Sequence, residues 1–99
     1  MHRALDPRWS PSPGLVWTHF DDSDEWVVFN PFSGDIHLLS APAYALWRLT
    51  SSEPSRSSAE LIDALAADIE QAHRHEFVVA ARETLAFMDR AGLVVPARG

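Results

Sequence analysis

Residues 26–39 read WVVFNPFSGDIHLL, and this stretch decides the fold. Two apolar runs of β-type residues, Trp26–Phe29 and Ile36–Leu39, flank Asn30-Pro31-Phe32-Ser33-Gly34-Asp35, a segment of turn formers. That arrangement specifies a β-hairpin with a loop of a few residues, because Asn, Gly and Asp accept the backbone conformations of a reversal. Pro42 follows three residues after the second run, and from there the pattern is helical. A short sheet followed by helices leaves a strand edge to be covered, paired or used.

Upstream of the hairpin, Leu15–Phe20 reads as a first strand, joined to it by the acidic turn Asp21-Asp22-Ser23-Asp24-Glu25. Residues 1–14 carry Pro7, Pro11, Pro13 and Gly14 among serines and read as a flexible N-terminal arm or extended cover, outside any regular element. Downstream, Ser40 stands at a helix N-cap with Pro42 in the first turn, where its missing N–H costs nothing. The first helix takes Ala43, Leu46, Trp47 and Leu49 and ends near Thr50. Ser57-Ser58-Ala59-Glu60 fits a capping box, and Leu61, Ile62, Leu65 and Ile69 continue it as an apolar stripe. A fresh stripe of Phe77, Ala81, Leu85 and Met88 sets the third helix from about Glu76 to Ala91, after a break near Ala72–His75. Gly92 is the stop, and residues 96–99 are a tail. The expected fold is α+β and winged-helix-like: a three-stranded antiparallel sheet followed by three helices, in one domain over residues 15–95.

Ninety-nine residues hold a single core. The absence of Cys excludes disulfides and thiolate chemistry and suits a cytoplasmic location. The N-terminus MHRALDPRWSPSPG lacks the apolar region of a signal peptide, and no apolar run reaches the roughly 18 residues of a membrane span. The net charge is −6, there is no Lys, and the eight Arg are scattered. Phosphate recognition relies on clustered Lys and Arg, so nucleic acid is not an expected partner.

No set of side chains specifies a reaction, a cofactor or a metal. His73 and His75, with the isolated His2, His19 and His37, match no ligand spacing. The acidic cluster at 21–25 lacks the length and glycine of a calcium loop. Ser33-Gly34-Asp35 is turn chemistry without the strand–turn–helix setting of a nucleophile elbow. His37 reads as a half-buried strand residue with a local hydrogen bond.

The string Trp17…Phe20-Asp21-Asp22, then Val27-Val28-Phe29-Asn30-Pro31, Ser33-Gly34-Asp35 and His37-Leu38-Leu39, resembles the PqqD-type peptide chaperones, and within them the branch found beside HPr-kinase-related proteins. Leu39-Ser40-x-x-Ala43 and Asp89-Arg90-x-Gly92-Leu93-Val94 extend the likeness over roughly residues 15–95. The resemblance implies a non-catalytic RiPP recognition element. Such a domain binds the leader of a ribosomally made precursor peptide as an added strand along its third strand, against its third helix. It then presents the peptide to a modifying enzyme, here an HPr-kinase-related protein by the branch.

The residues allow that role on physical grounds. An edge strand templates an incoming strand, and pockets beside it select alternate side chains. The third strand is Asp35-Ile36-His37-Leu38-Leu39, with His37 and Leu39 on one face and Ile36 and Leu38 on the other. Apolar residues on both faces expect cover on both; helices supply one side, and a peptide, the N-terminal arm or a second copy the other. The third helix offers Phe77, Ala80, Ala81, Thr84, Phe87 and Met88, its small residues leaving room for apolar peptide side chains and Met88 adapting to them. Helix rotation decides which of them line the groove. Two other classes stay open: a winged-helix DNA-binding regulator, which the charge opposes, and a structural module that homodimerises through the same edge.

Overall fold

The computed structural model describes residues 7–20 and 22–97. Expectations for residues 1–6, for Asp21 and for 98–99 lie outside the described residues. In chain order the elements are β1 (Arg8–Pro11), β2 (Val16–His19), β3 (Glu25–Asn30), β4 (Asp35–Ser40), α1 (Ala41–Leu49), β5 (Arg56–Ser57), α2 (Ser58–Ala66), α3 (Gln71–Arg90) and β6 (Val94–Pro96). The α+β class holds: β2-β3-β4 form a three-stranded antiparallel sheet and three helices follow it. A second antiparallel sheet, β5-β1-β6, joins the N-terminal strand to the C-terminal one.

Local chemistry sets the central hairpin. Gly34 takes φ +81° and donates its N–H to the Asn30 carbonyl at 2.7 Å. The Asn30 side chain accepts the Phe32 N–H at 3.0 Å, so the turn is stapled from both main chain and side chain. Both predicted helix starts form: Ser40 Oγ accepts the Ala43 N–H at 3.3 Å, and Ser57 and Glu60 make a reciprocal capping box.

Three expectations are corrected. Residues 8–11 are not an arm but the middle strand of the second sheet. Trp9 is only 7% exposed and its indole Nε1 donates to Ser58 Oγ at 2.9 Å. Pro11 is tolerated there because β5 pairs only with Arg8 and Trp9, so no neighbour on that side needs its missing N–H. Pro96 likewise belongs to β6, paired with Trp9, and Ala97 donates to the Arg8 carbonyl at 2.7 Å, so the tail is strand at its start. The break between the last two helices falls at 67–70, earlier than Ala72–His75. There Ile69 donates back to the Ala66 carbonyl, and Arg74 reaches across to the Ile69 carbonyl at 3.2 Å. With no Gly or Pro in the segment, packing places this break.

The core joins Val28 and Leu39 of the sheet to Ala43 and Leu46 of α1, Leu61 of α2, Leu85 and Met88 of α3, and Leu93 and Val94. Trp47 ties α1 to the C-terminal segment through an indole bond to the Leu93 carbonyl at 2.8 Å. All three helices therefore lie on one face of β2-β3-β4. No helix among the described residues is long and apolar enough to cross a membrane.

Candidate functional site: the open edge of β4 beside α3

β4 pairs with β3 on one side only, in the register Val28↔His37 and Val27↔Leu38. Among the described residues nothing pairs its other edge. Every second residue of such a strand directs its N–H and C=O away from its partner, which makes a strand-binding template. Its side chains divide as the period of two requires. Leu39 is buried and His37 half-buried against the helices, whereas Ile36 and Leu38 are 67% and 53% exposed on the far side.

α3 runs past this edge. His37 meets Phe87 edge to face, with ring centroids 5.4 Å apart. Beyond the end of β4, α3 forms with α1 and α2 an apolar groove of about 280 Å³, lined by Ser40, Ala43, Leu65, Phe77, Ala80 and Thr84 among others; Ser40 is its one β4 residue, and Asp35, Ile36, His37, Leu38 and Leu39 do not line it. The Thr84 hydroxyl donates to the Ala80 carbonyl at 3.0 Å. The lining carries no charged side chain.

The six helix residues singled out in the sequence separate accordingly. Phe77, Ala80, Ala81 and Thr84 line the groove, and Phe87 stands at the β4 wall. Met88 is fully buried in the core cluster and does not line the groove. Ala81 is shared between core and groove floor. Sequence reasoning missed Ser40, Pro42, Ala43 and Leu46, read only as cap and core, and Leu65 of α2. Leu65 belongs by spacing to the α2 stripe, and it stays half-buried where Leu61 and Ile62 are buried. Among the described residues the local hydrogen bond expected for His37 is not formed: its Nε2 is buried without a partner there, and the ring packs against Phe87.

Among the described residues no three His, Cys, Asp or Glu side chains cluster as metal ligands. His73 and His75 are exposed, with His73 facing Glu76 at 3.8 Å. The carboxylate of Glu60 is held below the ordinary carboxylate range, chiefly by the hydrogen bond from the Ser57 backbone, with Arg8 and Arg56 adding positive charge nearby. It belongs to the α2 cap and does not line the groove.

Residues 25–94, from the start of β3 to the start of β6, match the family model described as coenzyme PQQ synthesis protein D (PqqD). The chain belongs to the PqqD family. The matched segment contains β4, α1, α2 and α3, hence every residue that lines the groove. The fold of this PqqD-family chain is also that of a solved structure, TbiB1 in complex with the TbiA(beta) leader peptide. The likeness has a TM-score of 0.64 and 24% identity, and covers 91% of this chain and 99% of that one. No curated protein matches the chain.

Proposed function

We propose that this PqqD-family domain is a non-catalytic chaperone that binds the leader of a ribosomally made precursor peptide and presents it to a modifying enzyme. The leader adds as a strand to the open edge of β4. One set of its alternate side chains lies against Phe77, Ala80, Ala81, Thr84 and Phe87. Main-chain pairing supplies a sequence-independent part of the affinity, and the groove of α1, α2 and α3 at the Ser40 end of β4 selects apolar anchors. The observation that carries this reading is the unpaired β4 edge with an uncharged apolar groove beside it. A structure of the same fold, TbiB1, is a leader-peptide complex, which supports the reading. The receiving enzyme, by the resemblance of the hairpin motif, is an HPr-kinase-related protein, and the work is cytoplasmic, where precursors are made.

The test is a search for a short precursor reading frame beside the gene, followed by titration of its leader against the purified protein. Leu38→Pro removes a strand N–H and bends β4, so it abolishes binding while circular dichroism reports whether the fold survives. A folded Leu38→Pro protein with wild-type affinity would rule out docking on β4.

A further inference from the structure

The sheet has a second face, and the helices leave it open. Register places Val16, Phe29 and Ile36 in one row across β2, β3 and β4, and Thr18, Val27 and Leu38 in the next. Val16 is 54% and Phe29 38% exposed, so even the central strand shows its aromatic ring to solvent. Phe32 extends the patch at one end; its ring lies against Gly14, where a Cβ would come within 2.8 Å of it. A continuous apolar face of this kind, two rows deep across a whole sheet, marks an interaction surface more often than a bare exterior.

The charges around it say what fits. Glu25 and the exposed turn residues Asp22 and Asp24 stand at one end of the strands, and exposed Asp35 at the other. No Lys or Arg occurs anywhere from Val16 to Ser40. A second copy, related by a two-fold axis in the plane of the face, would set acidic ends against acidic ends in either direction of the strands, with no cation to offset them. The net charge of −6 opposes self-association further. A different protein, with an apolar centre flanked by Arg or Lys, meets both features.

We infer that the outer face of β2-β3-β4 is the docking surface for the modifying enzyme, through a patch on that enzyme with an apolar centre and basic margins. The inference rests on leader binding at β4 and adds a geometric consequence of it. A leader strand on β4 sends its alternate side chains onto this same face, beside Ile36 and Leu38. An enzyme seated there touches chaperone and leader together, so it engages the loaded chaperone in preference to the empty one.

Val16→Glu and Phe29→Glu change this face from β2 and β3, leaving the residues of β4 and α3 in place, and Asp24→Arg reverses one margin. Each variant is co-expressed with the precursor and the enzymes encoded beside it. Modified precursor is measured by mass spectrometry, and leader affinity, circular dichroism and light scattering are measured on the purified protein. The expected result is a folded monomer with wild-type leader affinity and at least about tenfold less modified precursor for both Glu variants, with a smaller loss for Asp24→Arg. Wild-type amounts of modified precursor from folded Glu variants would overturn the inference while leaving the leader reading intact. So would a wild-type dimer that Phe29→Glu dissociates, since a second copy would then own the face. A wild-type protein that binds no leader removes the leader reading itself, and this inference with it.

Discussion

His37 of β4 and Phe87 of α3 meet edge to face, their ring planes 86° apart and their centroids 5.4 Å apart. This contact holds α3 beside the open edge without any hydrogen bond from the His37 Nε2 atom. Farther along, where β4 ends at Ser40 and α1 begins, a groove opens between α3, α1 and α2. The width of that opening depends on small side chains.

Ala80 is the residue that tests it. It is exposed on α3 and lines the groove. Ala80→Leu fills the space while keeping helix propensity, so stability changes by less than about 0.5 kcal/mol. Leader affinity falls at least about tenfold, the cost of losing an apolar anchor. Fluorescence anisotropy with a labelled leader, beside a thermal melt, separates the two effects.

The N-terminal strand is structural. Trp9 is buried between β1 and α2 and bonded to Ser58. Trp9→Ala therefore destabilises the protein by about 3–5 kcal/mol, a cost confined to large buried side chains. A urea titration followed by circular dichroism measures it. A flexible arm would give a change near zero.

Glu60 makes the α2 cap sensitive to acid. Its folded-state pKa lies below the ordinary value of 4.5, mainly through the Ser57 backbone bond. A depressed carboxylate contributes its stabilisation fully above the unfolded value and loses it as the pH falls through the folded one. Glu60→Gln therefore lowers the melting temperature at pH 7, and the gap to the natural protein closes as the pH drops below 4.5. Melting curves across that range show it directly.

Much of this protein was legible from short stretches of chain. The hairpin follows from Asn30 to Gly34, because a side-chain staple and a left-handed glycine act within five residues. The starts of α1 and α2 follow from Ser40 and from Ser57 with Glu60, whose caps close within one helical turn. The alternation of His37 and Leu39 against Ile36 and Leu38 follows from the strand period alone. These determinants are local, so the sequence by itself settled them, together with the α+β class and the exposed strand edge.

Only the tertiary structure decided the rest. Arg8–Pro11 looks like a loop until Val94–Pro96 arrives beside it, a pairing across most of the chain that no local propensity encodes. The α2–α3 break has no Gly or Pro to announce it and depends on how Ile69 and Arg74 meet. The rotation of α3 put Met88 in the core and Ala80 in the groove, although both lay on or beside the same apolar stripe. Rotation is set by the sum of contacts from α1, α2 and β6, and a stripe wider than its partner surface leaves that sum undetermined until the partners are in place.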